Sequence, residues 1–516
     1  MTRRQVAVAT PAHEAAEAAM AVVEAGGNAV DAAIAAICVA CVTEVGIVSP
    51  MGGAYVNIWA PREQPIVLDG YVEMPGRGRP AEWFGTGLRE FWMDYYGGMT
   101  VNGGHGSVAT PGMFAALDEA STRWGALPWR ELVAPAAHVA RNGWAAGPSA
   151  VFYLEASGGN LFAFDPGTRA FMTQGGGEYP ELGDIVRSSE LADSLDTIGR
   201  DGAATLYTGE IAHVIAADMD ANGGLLGLED LASYRTVARP PLRTRLLDWD
   251  VAANPAPSIG GPVLTAMLRL LADRRATRGR TDASDIIDIQ YAVLDYRRRA
   301  IDAAEDLEIA GQELLRALHE LGPEGLAAVS SSPETIHVSA IDDTGLACSI
   351  TTSAGYGSGV TVPGTGLMLN NALGEPELNR RGLHALAPGT RLASNMTPTT
   401  ARRDDGTRLA IGSPGADRIT TALMQVIGGV CLDQKSLQEA IDQPRLHVAF
   451  DDAGDARVEY EAGPGVTPAV EASPFPGAAH DRIAMYFGGV GAAGLRPDGT
   501  LVAAGDPRRT AATAIG

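Results

Sequence analysis

SSSPETIHVSAIDDTGLACSITTSAGYGSGV, residues 330–360, is the stretch on which the fold turns. From Thr335 to Ile341 polar and apolar residues alternate, and many are β-branched, which reads as a strand. Asp343-Thr344-Gly345 makes a tight turn, and Leu346 to Thr352 returns as a second strand. The Ser/Pro run in front is an exposed, cuttable approach to this hairpin. On pattern alone Thr335 is an ordinary strand threonine behind a flexible lead-in.

The neighbouring segments add to that reading. Downstream stand P-G-T-G-L-M-L-N-N (Pro363 to Asn371), R-L-A-S-N-M-T-P-T (Arg391 to Thr399) and G-S-P-G-A-D-R-I (Gly412 to Ile419). Upstream stand E-A-G-G-N-A-V-D-A-A (Glu24 to Ala33), A-T-P-G (Ala109 to Gly112), N-G-G-L-L-G-L-E-D-L-A-S-Y (Asn222 to Tyr234) and N-P-A-P-S-I-G-G (Asn254 to Gly261). In this order the set resembles the γ-glutamyltransferase family of N-terminal-nucleophile hydrolases, over nearly the whole chain. The resemblance implies an α+β fold, a four-layer αββα sandwich with two mostly antiparallel sheets covered by helices. It also implies a proenzyme that cuts itself between Glu334 and Thr335. Residues 1–334 would form a large subunit portion and 335–516 a small one, interleaved in one fold. Thr335 would then be the nucleophile. A threonine hydroxyl needs a proton acceptor to attack a carbonyl, and the freed α-amine, with a pKa of about 8, supplies one on the same residue.

Composition sets outer bounds. The chain has 516 residues, 46% of them hydrophobic, and its 63 glycines fall in turn-like motifs, as in an ordinary globular protein. A formal net charge of −23 argues against nucleic acid and anionic membrane, which both need basic footprints. The start, M-T-R-R-Q-V-A-V-A-T-P, has no apolar signal-peptide core, and Ala32 to Val42 is too short to span a bilayer, so a cytoplasmic location is expected. Cys38 and Cys41 form C-x-x-C inside an apolar helix, with Cys348 and Cys431 far away; buried thiols are expected, and no metal or cofactor.

Along the chain, Glu14 to Ala25 reads as a helix stopped by Gly26-Gly27, and Asn28 opens a buried helix reaching Val42. Gly53 to Ala60 and Pro65 to Leu68 read as strands, Met74 to Pro80 as a loop, and Trp83 to Tyr96 as irregular. Helices are expected within Gly112 to Asn142 and Leu182 to Ala217, with loop from Leu154 to Tyr179. A helix follows Ile259-Gly260-Gly261 as far as Arg274, then an exposed polar stretch from Arg275 to Thr281. From Ala283 to Ala327 the pattern is helical, with Arg297-Arg298-Arg299 as a solvated face. Helices are expected at Ile419 to Gly428 and Lys435 to Ile441, and strands at Arg457 to Tyr460 and Ala484 to Phe487.

The resemblance carries a site with it. Backbone N–H groups of Gly415 and Ala416 would stabilise the oxyanion, Ala416 standing where relatives have a second glycine. Ser353 falls where a threonine supports the nucleophile. Recognition is where this chain departs. The arginine that grips a substrate α-carboxylate is replaced by Val72, with Arg77 and Arg79 nearby but not aligned. Ser394-Asn395 stands for a serine pair, Gly355 for an asparagine, and Ala372 for a glutamine, while Glu375 remains to receive an ammonium group. Arg418 and Arg391 are positive groups near these loops, Arg391 divided equally between an ion pair and a ligand role. His337 shares the Thr335 face of its strand as a core or supporting residue, and His105 sits in a glycine turn. Three functions follow: a self-processing amidohydrolase or acyltransferase on a small amide other than a standard γ-glutamyl peptide; a hydrolase of carbon–carbon bonds beside a carbonyl; or an unprocessed, non-catalytic scaffold. The expected partners are a small amide or carbonyl substrate and the two processed portions of the chain, with further self-association left open.

Overall fold

In the computed structural model, which describes residues 4–94, 98–302, 304–321, 335–375, 378–451, 453–480 and 483–516, the hairpin is formed by the strands Ile336–Asp342 and Ala347–Ser353. The Asp342 carboxylate accepts the N–H groups of Thr344 (3.0 Å) and Leu346 (3.1 Å) and so closes the turn. Gly345 lies at φ 83°, and a Cβ there would stand 2.1 Å from Nη1 of Arg408, so the turn needs glycine.

The hairpin is the middle of a seven-stranded antiparallel sheet. Its order is Ala512–Ile515, Val6–Thr10, Ile336–Asp342, Ala347–Ser353, Gly53–Trp59, Ile66–Gly70 and Val237–Arg239. A second antiparallel sheet runs Leu501–Ala504, Gly491–Leu495, Arg408–Gly412, Thr399–Arg403, Trp249–Ala253 and Leu242–Leu246. Period-two alternation sorts the strand Ile336–Asp342 between two cores. Ile336, Val338 and Ala340 enter the core shared with the helices His13–Glu24 and Ala29–Thr43. Ile341 joins Ala7, Ala347, Ala410 and Ala493 between the sheets, where small side chains let the layers approach. The helices Gly260–Arg278 and Arg418–Cys431 cover the far side of the second sheet. Four layers result, helix, sheet, sheet, helix, as expected.

Asn28 and Asp31 form a reciprocal capping box, which fixes where the fully buried helix Ala29–Thr43 begins. All four cysteines are buried free thiols, and burial pushes the Cys38 thiol up to about 12.

Several expectations are corrected. Within Trp83 to Tyr96, the strand Arg89–Met93 pairs with Met99–Gly103. The stretch Leu154 to Tyr179 holds the helix Pro166–Met172, capped by the Asp165 carboxylate accepting the Thr168 N–H at 2.7 Å. The helix Gly260–Arg278 runs one turn past its expected end near Arg274, into the exposed polar stretch, and stops at Gly279, φ 73°. Met485–Phe487 is a 3₁₀ turn and not a strand. Arg297 does not share a solvated face with Arg298 and Arg299. It is fully buried in a π-helical turn, its Nε 2.8 Å from Asp302.

Candidate active site

The register of the central sheet places the expected nucleophile. Ile336 pairs with Thr352, so one more step sets Thr335 opposite Ser353, which in turn pairs with Gly53. Thr335 is buried at the mouth of its strand, on the face that His337 shares. The ring of His337 bridges Thr351 (Nδ1 to Oγ1, 2.9 Å) and Ser339 (Nε2 to Oγ, 2.7 Å). It lies so flat on Gly412 that a Cβ there would come within 2.3 Å of it. His337 is thus a packed core residue, and burial pulls its pKa down to about 3. Gly412 also ends the second-sheet strand that leads into Ser413–Asp417, and Thr335 shares the first-sheet face that His337 turns toward it. Glu334 and the Ser/Pro lead-in lie outside the described residues.

The loop has a fixed shape. Gly415 (φ 117°) and Ala416 (φ 62°) are both left-handed, and for alanine that conformation costs about 1–2 kcal/mol. A Cβ on Gly415 would stand 2.8 Å from the Cα of Gly488, and one on Gly488 would stand 2.7 Å from the Ser413 hydroxyl. The Ser413 hydroxyl donates to the Pro414 carbonyl (2.7 Å) and accepts the Gly489 N–H (3.2 Å). The Gly488-Gly489 pair escaped the sequence reading; two adjacent glycines after an aromatic residue were the available signal. Beneath it Arg445 donates to the Phe487 carbonyl (2.9 Å) and pairs with Asp506 (2.6 Å).

Asp417 follows Ala416 directly. Burial by itself would raise its carboxyl, but Arg418 (Nη1 to Oδ1, 2.8 Å) and His447 (Nε2 to Oδ2, 3.5 Å) hold it well below the usual carboxylate range. Arg418 also donates from Nε to the Tyr486 carbonyl (3.0 Å), and its guanidinium lies 4.7 Å over the Tyr486 ring. The residue expected to touch substrate is therefore engaged inside the protein.

On the recognition side, the segment at Val72 pairs with the segment before Ser394: Leu392 donates to the Val72 carbonyl (3.1 Å) and Met74 to the Thr390 carbonyl (2.9 Å). Val72 is buried among apolar residues. Arg391 is an ion-pair residue. It donates to Glu73 at 2.8 Å, sits 3.3 Å from Asp69, and lies 4.4 Å over the Tyr234 ring. Arg77 faces Glu73 and Asp230, each at 3.5 Å, and Arg79 donates to the Leu225 carbonyl at 3.1 Å. His105 faces Asp218 at 3.1 Å. The scattered motifs converge here. Ser258, Ile259 and Gly260 of N-P-A-P-S-I-G-G hydrogen-bond to the Ser394 carbonyl, and Gly260 lies flat against the Asn395 backbone. Asp230 takes the N–H groups of Gly76 and Arg77, and Tyr234 donates to the Tyr71 carbonyl at 2.6 Å.

One departure, Gly355, fits the retained Glu375. Gly355 (φ 65°) donates its N–H to the Ser353 hydroxyl oxygen at 3.0 Å. Any Cβ at 355 would stand 2.1 Å from Asn371 Oδ1 and 2.6 Å from Glu375 Oε1. Glu375 is fully buried in the space that a side chain at 355 would fill. Both amide atoms of Asn395 are buried with no hydrogen-bond partner among the described residues. A cavity of about 330 Å³ opens beside Ala393, lined also by Pro257, Asp302, Leu378, Arg380 and Arg381. Among the described residues no cluster of His, Cys, Asp and Glu fits a metal ion, and no helix is long and apolar enough to cross a membrane.

Comparison with known proteins agrees with this architecture. A family model described as gamma-glutamyltranspeptidase matches residues 15–516. The chain is 31% identical to an acylase ACY 1 proenzyme of Pseudomonas sp. (strain SE83), over 93% of this chain and 88% of the relative. It is 27% identical to a glutathione hydrolase proenzyme of Escherichia coli (strain K12), over 98% and 90%. The structure superposes on a cephalosporin acylase from Bacillus halodurans with a TM-score of 0.79 at 24% identity, covering 99% of this chain and 95% of that one. The chain belongs to the γ-glutamyltranspeptidase family, and it is an enzyme of the N-terminal-nucleophile hydrolase type.

Proposed function

We propose that this chain is a self-processing amidohydrolase or acyltransferase whose nucleophile is Thr335, freed by cleavage after Glu334. It acts on a small amide other than a standard γ-glutamyl peptide. One observation carries the reading: register sets Thr335 opposite Ser353, on the face of the first sheet that His337 turns toward Gly412, the end of the second-sheet strand after which the left-handed Gly415-Ala416 turn follows. In this reading the α-amine takes the hydroxyl proton, Ser353 supports the nucleophile, and the N–H groups of Gly415 and Ala416 receive the charge that develops on the attacked carbonyl oxygen. Ser394, Asn395 and Glu375 contact the substrate beyond the reacting bond. The departure from γ-glutamyl peptides is supported by Val72, which offers no charge, and by Arg391, whose guanidinium is matched by Glu73 and Asp69. A buried substrate carboxylate without its cation would lose about 2–5 kcal/mol. The cavity beside Ala393, lined by both charged and apolar residues, takes the substrate's remaining bulk.

The test has two parts. A denaturing gel with amino-terminal sequencing is expected to give two fragments, the smaller beginning at Thr335, and a Thr335→Ala chain is expected to stay whole. A hydrolysis screen of acyl anilides, γ-glutamyl anilides and β-dicarbonyl compounds then names the bond. An uncut wild-type chain, or turnover surviving in Thr335→Ala, ends the proposal. Turnover confined to β-dicarbonyl compounds moves the same nucleophile to a carbon–carbon bond.

A further inference from the structure

We propose that Asp417, clasped by Arg418 and His447, is a positioning residue that holds Ala416 left-handed and thereby aims the N–H groups of Gly415 and Ala416 at one point. This rests on the oxyanion role proposed above for those two groups. A strained backbone persists only where its surroundings over-determine it. Ala416 is buried, and its neighbours fix it from two directions. On one side Gly415 meets Gly488 with no room for a side chain on either residue. On the other, the carboxylate one residue after Ala416 is held by Arg418 at one oxygen (2.8 Å) and faced by His447 Nε2 at the other (3.5 Å).

Both partners are themselves anchored outside the turn. Arg418 is tied to the Tyr486 carbonyl and ring. His447, on the strand Leu446–Phe450, is 3.1 Å from the Thr421 hydroxyl, which donates to the Arg418 carbonyl at 3.1 Å. The Tyr486 ring stacks on His480 at 4.7 Å, and His480 meets Glu459 at 2.6 Å. The clamp therefore ties the turn to the strand Leu446–Phe450 and the turn Met485–Phe487. Without it, rotation of Ala416 to negative φ relieves its strain and swings the adjoining peptide N–H groups away from their common target.

A double-mutant cycle between Asp417→Ala and Ala416→Gly tests this, because glycine adopts positive φ without the clamp. With the best substrate from the screen above, Asp417→Ala in the natural background is expected to lower kcat about 100-fold with little change in KM, as for a lost oxyanion donor. In the Ala416→Gly background the same change is expected to lower kcat less than about 10-fold. Asp417→Asn, which keeps an acceptor for Arg418, should recover part of the loss, and His447→Phe should repeat the pattern more weakly should Asp417→Ala not fold. A crystal structure of Asp417→Asn or His447→Phe gives a readout independent of turnover: Ala416 is expected to leave the left-handed region in at least part of the molecules. Equal losses in both backgrounds, a loss confined to KM, or an unmoved Ala416 in both crystal structures overturns the proposal. Failure of the Thr335 reading is recognised separately, by turnover that survives Thr335→Ala.

Discussion

Around Thr335 the pocket is built from backbone, whereas around Val72 it is built from side-chain charge already matched. On the first side stand a strand end, the Gly415-Ala416 turn and the glycine it packs against, with Ser353 at the paired position. On the second, Arg391, Arg77 and Arg79 are engaged by Glu73, Asp69, Asp230 and main-chain carbonyls. A backbone device survives drift in the surrounding side chains, because every residue except proline keeps its N–H group. A charge device is changed by one substitution, and the proposed function rests on Val72 standing where the resemblance leads one to expect such a charge. In the function proposed above, reaction type and substrate choice are thus held by physically different means.

The largest expected effects separate the two halves. Thr335→Ala should lower kcat by about three orders of magnitude or more, with folding unchanged by circular dichroism. Ser394→Ala should raise KM with kcat nearly intact; a kcat collapse there would mean that Ser394 belongs to the reacting half. Next comes Arg391→Met, which leaves Glu73 and Asp69 buried without their partner and should destabilise the fold by about 3–5 kcal/mol in urea denaturation. Were Arg391 a substrate ligand instead, its loss would raise KM and leave the urea midpoint in place.

How much of this was legible in the sequence follows the range of the interaction. The hairpin at Thr335 was plain, since β-branched alternation and an Asp-Thr-Gly turn are local signals, and the Asn28/Asp31 capping box was visible at three-residue spacing. The strand Arg89–Met93 was hidden because Trp92 is 55% exposed on its outward face, which erases the alternation. Arg297 read as surface because its partner, Asp302, lies within reach only through a π-helical turn that no composition announces. At the site, the Gly415-Ala416 turn was found through its motif. Its counterpart Gly488 was not, since that glycine is required by a contact made from far along the chain. The pairing of Gly355 with Glu375 was likewise invisible as an exchange of volume.

His337 sharpens the comparison through pH, since it lies in the backbone-built half and titrates. Its folded pKa of about 3 is below the roughly 6.5 of an unfolded histidine. The unfolded chain therefore binds the extra proton first as pH falls. Stability is full above about pH 6.5 and declines between there and about pH 3, by about 1.4 kcal/mol per pH unit where only the unfolded state is protonated. His337→Gln should lower the urea midpoint at neutral pH and remove one proton's worth of that slope. An unchanged slope would mean that His337 is not held neutral between Thr351, Ser339 and Gly412.

The smallest expected effect lies on the recognition side, at Asn395. Both of its amide atoms are buried without a partner among the described residues, although the main chain beside them is held by Ser258 and Gly260. Such orphaned groups typically destabilise by about 1–3 kcal/mol each unless something fills the gap. A substrate that hydrogen-bonds to the amide removes that penalty only when bound, which makes the ligand-free pocket the less stable state. Asn395→Ser exchanges the amide for one rotatable hydroxyl and should raise stability by about 1 kcal/mol, read as a higher urea midpoint. The same change should raise KM up to about tenfold with kcat unaffected, because the lost contact is made equally in the ground and transition states. Should the midpoint stay fixed while kcat falls, Asn395 acts on the reacting bond, and the division of the pocket into two halves fails at that residue.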